Sequence, residues 1–277
     1  MKPGTAPALG RADADELKSC CAALYESDWA RLLLGDSFHP GGLALTERLG
    51  ETLDLGPGDR VLDVAAGTGA SAIFLAQRFG CRVEGVDFGA DLVRQANRAA
   101  VEQGVEGRVR FRQGDAERLG FGDATFDAIV CECAFCTFPG KGAAAEEFAR
   151  VLRPGGRVGL SDLTRDRGTL PEELEGLLAW IACIADAQPL DRYVAFLEAA
   201  GLTAFQTEAH AEALNQMIRD VRARLLGAEL LTKLGKLDLP GADFDQAHEL
   251  ARLATDAVRD GRLGYALVLA EKEGALR

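Results

Sequence analysis

Three cysteines fall within six residues in CECAFC, residues 131–136, directly after the apolar run FDAIV and before TFPGK. A thiolate is a nucleophile and a soft ligand of the kind thiophilic centres prefer. A cysteine is also a small hydrophobe that packs well in a core. Cys133 and Cys136 have the CxxC spacing of half a structural zinc site. Such a site wants four ligands, and no partner pair is visible. The remaining cysteines are the adjacent pair Cys20 and Cys21, Cys81 just before an apolar run, and Cys183. Cys81 reads as buried filler. His39 sits in the loop GDSFHPGG, residues 35–42. It is either a base for an oxygen or nitrogen acceptor or part of a loop that closes over a ligand.

A second group of residues has the chemistry of a nucleoside site. The stretch VLDVAAGTGAS, residues 61–71, ends an apolar run with Gly67 and Gly69, which let the backbone turn tightly and approach a ligand at a helix N-terminus. Gly67-x-Gly69-x-x-Ala72 also fits a dinucleotide fingerprint. Asp63 lies four residues before Gly67, where a carboxylate takes a ligand ammonium. Asp87 ends the next apolar run, where a carboxylate accepts both hydroxyls of a ribose. Asp115, after the third run, is placed to accept an adenine amino group. Each acid alone could be a helix N-cap.

These residues need a frame that brings run ends together. Short, almost wholly apolar segments recur at 60–64, 82–86, 109–112, 126–131 and 157–160. Helical spacing alternates with them at 70–78, 90–102 and 143–152. That rhythm predicts an α/β fold with a doubly wound, mostly parallel sheet covered on both faces. Helices are expected at 13–30 and 43–53 before it, and at 171–184, 190–200, 211–234 and 244–259 after it. Strands at 203–208 and 263–271 bring the sheet to seven, the last as its hairpin-like edge. The expected organisation is a tail and helical lid over 1–55, a cofactor-binding unit over 56–201, and C-terminal helices and closing strands of the same sheet over 202–277.

Bulk properties exclude some partners. The chain has 277 residues with 31 basic and 43 acidic side chains, a net charge of −12. An acidic surface repels phosphate backbones, so nucleic acid is not an expected partner. No apolar run reaches the ~18 residues that span a bilayer. The N-terminal stretch lacks the apolar segment of a signal peptide, so the expected location is the cytoplasm, with thiols reduced.

With Gly67, Gly69, Asp63, Asp87, Asp115 and the RPGG of residues 153–156, the chain resembles the class I S-adenosylmethionine-dependent methyltransferases over roughly residues 35–201. The resemblance implies a Rossmann-like sheet and S-adenosylmethionine as cofactor. Asp63, Ala65, Gly67, Thr68 and Gly69 would line its methionine part, Asp87 its ribose and Phe88 its adenine. Asp115 and Ala116 would sit at the adenine edge, and Cys131 would lie nearby. Many members have glycine where this chain has Ala65, which a methyl group tolerates if φ stays negative.

Residues 127–141, DAIVCECAFCTFPGK, further resemble the arsenite methyltransferases, which carry Asn-Cys-Val after the same strand and then Pro-x-Lys. The resemblance sets Cys133 on the arsenic-binding cysteine, Cys183 on a second, and Cys20 or Cys21 on the third. Glu132 departs from the family's asparagine. Trivalent arsenic held by thiolates would aim its lone pair at the sulfonium methyl without a general base, leaving catalysis to positioning. The expected partners are then a metalloid or small-molecule substrate and a thiol reductant. The alternative is methyl transfer to carbon, oxygen or nitrogen of a small organic molecule, with the cysteines structural.

Overall fold

The structure is a computed structural model that describes residues 11–26, 32–35, 38–166, 174, 184, 186–239 and 243–274. Helix α1 (Arg11–Tyr25) and helix α2 (Gly42–Thr52) precede the sheet. Strand β1 (Arg60–Val64), helix α3 (Ala70–Phe79), strand β2 (Arg82–Asp87), helix α4 (Ala90–Glu102) and strand β3 (Val109–Gln113) follow. Then come strand β4 (Phe126–Glu132), helix α5 (Lys141–Val151) and strand β5 (Leu152–Arg165). Helix α6 (Leu190–Ala199), strand β6 (Leu202–Ala209), helices α7 (Ala211–Lys233) and α8 (Phe244–Arg259) and strand β7 (Leu263–Lys272) complete the order.

The seven strands form one sheet in the order β3-β2-β1-β4-β5-β7-β6. The first five pair in parallel, and β7 pairs antiparallel with both β5 and β6. Helices cover both faces, as the alternating rhythm requires. Chain order reverses between β1 and β4, so the crevice beyond their carboxyl ends is the switch point where such sheets take ligands. Central strands are buried throughout, as in Val61, Leu62, Val64 and Ala128–Cys131.

The expectation that the last strand forms the edge is corrected. β7 is buried from Tyr265 to Ala270 and lies inside the sheet, and β6 takes the edge. The burial patterns carry the reason. β7 is apolar on both faces and needs cover on both sides, whereas β6 after Leu202 alternates exposed and half-buried residues. The helix expected over 171–184 lies outside the described residues apart from Leu174 and Ile184, and so does Cys183.

Candidate functional site

The site is built at the carboxyl ends of β1, β2 and β4. β1 runs into a turn in which Ala65 has φ 60°, Gly67 φ 55° and Gly69 φ 85°. Gly69 needs its missing side chain, because a Cβ there would come within 2.5 Å of the Phe111 ring. Ala65 is the reverse case. Its φ is positive, not negative as tolerance of a methyl group required, so the turn keeps a glycine conformation on an alanine at a cost of about 1–2 kcal/mol. The Gly67 N–H donates to Asp87 Oδ2 and the Gly89 N–H to Asp87 Oδ1, both at 2.8 Å. Asp87 therefore ties the β1 turn to the end of β2. A carboxylate offers about four lone-pair sites, so two remain for a ligand.

Asp63 lies beneath this turn, only 2% exposed, and its Oδ2 has no hydrogen-bond partner. Burial raises its pKa well above the usual carboxylate range, and the nearby charges of Glu132 and Asp87 push the same way. An orphaned carboxylate oxygen in that position fits a cationic group such as a ligand ammonium. Burial also raises the pKa of Asp87, opposed by the Gly89 and Gly67 N–H groups.

β4 contributes Glu132 and Cys133. Alternation along a strand would send neighbouring side chains to opposite faces. Cys133 instead has φ 52°, with its N–H donating to Ser161 O at 2.6 Å. The strand thus ends in a left-handed residue, and Glu132, Cys133 and Ala134 all border one cleft. Cys21, Ala22 and Tyr25 of α1 form its roof, together with Phe38. Ala65, Gly67, Asp87 and Phe88 form its floor.

Glu132 belongs to a buried polar cluster. Thr46 Oγ1 reaches its two carboxylate oxygens at 3.0 and 3.2 Å, and His39 Nε2 lies 3.6 Å from Oε2. Ser71 Oγ is 3.4 Å from the same His39 nitrogen. Sequence reasoning treated Glu132 only as a departure from a motif and did not foresee Thr46. The signal that could have found them is a glutamate at a central strand end, where an unpaired charge is costly.

Lys18 of α1 donates to Asp115 Oδ1 and Oδ2 at 3.1 and 3.0 Å and pairs with Glu117 at 2.8 Å. The carboxylate expected at the adenine edge is thus already held by the helix above. Ala116 packs against the core beside it. Thr68 is half-buried in the β1 turn and does not border the cleft.

The cysteines separate by environment. Cys133 and Cys21 border the cleft, and Cys20 is exposed. Cys131 is fully buried inside β4, its thiol pushed well up by burial, and its side chain is not on the cleft. Cys136 is buried, its N–H donating to Asp162 Oδ2. Cys81 is buried, its thiol pushed up to about 11, as filler requires. Among the described residues, no cluster of three or more histidine, cysteine or acidic side chains is arranged to hold a metal ion. Lys141 of the Pro-x-Lys stretch is buried and paired with Asp186, with its ammonium also donating to Phe138 O. That pair ties residues 186–188 to the segment following β4.

Residues 61–156 match the family described as "Methyltransferase domain". The chain is 35% identical over 170 residues to the methyltransferase GfsG of Streptomyces halstedii, covering 60% of this chain and 61% of that one. It is 30% identical over 198 residues to an arsenite methyltransferase of Halobacterium salinarum, covering 68% of this chain and 49% of that one. The chain thus spans about three fifths or less of the length of these curated relatives. Among solved structures, phosphoethanolamine N-methyltransferase 2 of Haemonchus contortus, in complex with S-adenosylmethionine, superposes with a TM-score of 0.77 at 19% identity. That likeness covers 98% of this chain and 62% of the other, and it concerns the fold.

Proposed function

We propose, from the premise that residues 61–156 carry a class I S-adenosylmethionine-dependent methyltransferase domain, that this chain moves a methyl group from S-adenosylmethionine to a small acceptor in the cleft above β1 and β4. The observation that carries the cofactor assignment is the buried, unpartnered Oδ2 of Asp63 beneath the β1 turn. In this reading Asp63 accepts from the ammonium of the methionine part. Gly67 and Gly69 allow close backbone approach, helped by Ala65 and Thr68. Asp87 accepts from the ribose hydroxyls with its remaining lone pairs, and Phe88 covers the adenine. Asp115 and Ala116 meet the adenine edge, with Asp115 shared with Lys18. When bound, S-adenosylmethionine supplies an electrophilic methyl group.

The acceptor we favour is a thiophilic centre such as trivalent arsenic. Its support is that Cys133 and Cys21, distant in sequence, border the same cleft. Thiolates of these two would hold the centre and turn its lone pair toward the methyl group, so positioning does most of the work. Cys183, which lies outside the described residues, is the expected third ligand by the family resemblance. Cys20, being exposed, is the weaker of the adjacent pair. Cys131 serves packing. A thiol reductant from solution would complete turnover.

One observation favours a second reading. His39 and Glu132 form a carboxylate–imidazole pair beside the cleft, able to accept a proton from an oxygen or nitrogen acceptor. Mass spectrometry of products after incubation with S-adenosylmethionine, a thiol and arsenite decides between them. Methylated arsenic from the wild type and none from Cys133→Ser or Cys183→Ser is the expected result. Normal arsenite turnover by Cys133→Ser would sink the thiolate reading.

A further inference from the structure

Asp63, Asp87 and Glu132 stand at the ends of three neighbouring strands, β1, β2 and β4, and all three are buried. Asp63 feels the charges of the other two. The Lys18 ammonium is engaged by Asp115 and Glu117, and His39 Nε2 lies 3.6 Å from Glu132. The cofactor reading gives Asp63 an ammonium and Asp87 a ribose. It asks nothing of Glu132, which nevertheless borders the cleft and is held in place by the Thr46 hydroxyl at 3.0 and 3.2 Å.

We propose that Glu132 is a charge-selecting residue, a fixed anion beside the cofactor's sulfur that favours the sulfonium of S-adenosylmethionine over the neutral thioether S-adenosylhomocysteine. The inference rests on the cofactor reading. Its logic is subtractive. Methyl transfer forms the acceptor–methyl bond and breaks the methyl–sulfur bond, whose electron pair stays on sulfur. The product keeps the same ammonium, carboxylate, ribose and adenine. Asp63, Asp87 and Asp115 meet groups common to both molecules, so their direct contacts do not distinguish the two. A charge near the sulfur can, and Glu132, at the end of the strand next to β1, lines the same cleft as Ala65 and Gly67. A buried carboxylate facing a cation loses much of its attraction when that cation becomes neutral, because little water screens the pair. Product therefore leaves more readily than cofactor.

Calorimetry on the full chain tests this, with S-adenosylmethionine, S-adenosylhomocysteine and sinefungin, whose amine keeps a positive charge in place of the sulfonium. Wild type should bind the two cationic molecules about tenfold more tightly than the thioether. Glu132→Gln should weaken both cationic ligands by about the same factor and leave the thioether within about twofold. Equal loss for all three ligands, or no loss, overturns the proposal. Should Glu132→Gln not fold, the wild type still decides, since thioether binding as tight as S-adenosylmethionine binding overturns it. A wild type that binds none of the three overturns the cofactor reading itself, an outcome distinct from equal binding of all.

Discussion

Two residues of the site put a side chain on a glycine-like backbone. Cys133 at φ 52° holds a left-handed conformation at a strand end, and Ala65 does so in the β1 turn. Non-glycine residues there cost about 1–2 kcal/mol, which a fold retains where the side chain or the turn is needed. Cys133→Gly should therefore leave thermal stability unchanged or raise it and, on the proposed thiolate reading, abolish arsenite methylation. A loss of several degrees in melting temperature would instead mark Cys133 as a packing residue. Asp87 carries a different load. Its carboxylate accepts from the Gly67 and Gly89 N–H groups, so Asp87→Ala should weaken S-adenosylmethionine binding by roughly 1.5–3 kcal/mol, losing charge-assisted bonds and the turn they hold. Calorimetry showing unchanged affinity would refute the ribose assignment.

At the scale of elements, α1 is fastened over the cleft at two points. Lys18 reaches Asp115 and Glu117 beyond β3, and Glu26, just past the helix, accepts from the Asp91 N–H at the start of α4. Tyr25 and Phe38 meet tilted at 41°, with ring centroids 5.7 Å apart. Ala22 and Tyr25 also line the cleft with Phe38, Phe88, Leu92 and Phe138, so polar fastenings and apolar contact together set how often the helix lifts. Lys18→Ala should speed amide exchange across residues 14–26 several-fold, and added S-adenosylmethionine should slow it in both proteins. Exchange that is indifferent to Lys18 would mean that packing alone holds α1 down.

For the whole molecule, Asp63 sets a conflict between stability and binding. Its carboxyl binds a proton more firmly folded than unfolded, chiefly because it is buried. Between the ordinary aspartate range near 4 and its raised folded value, the native state binds more protons than the unfolded state, so stability falls as pH rises through that window and then levels. Asp63→Asn removes the ionisable group. Without cofactor, the variant should melt roughly 2–4 °C above wild type at pH 7–8. It should also lose affinity for S-adenosylmethionine. A variant that melts no higher, or binds as well as wild type, contradicts the role given to this carboxylate.

What the sequence determined by itself was the rhythm and the local chemistry. Apolar runs of strand length alternating with helical spacing dictate a covered parallel sheet, and Gly67, Gly69 and Asp87 mark its ligand end because tight turns and strand-end carboxylates are local features. The resemblance singled out Cys133, but residue pattern alone could not say which cysteine borders the cleft. Cys131, Cys133 and Cys136 look alike along the chain, and the choice falls to one positive φ at Cys133 that breaks the strand's alternation. Nor could it join Glu132 to Thr46 and His39, or Lys18 to Asp115. Those contacts span 86, 93 and 97 residues. The order of the last two strands was equally hidden, since pairing partners follow from which faces must be buried once the whole sheet assembles. Local pattern is written residue by residue, whereas long-range contact is decided by the packing of elements that only the folded chain brings together.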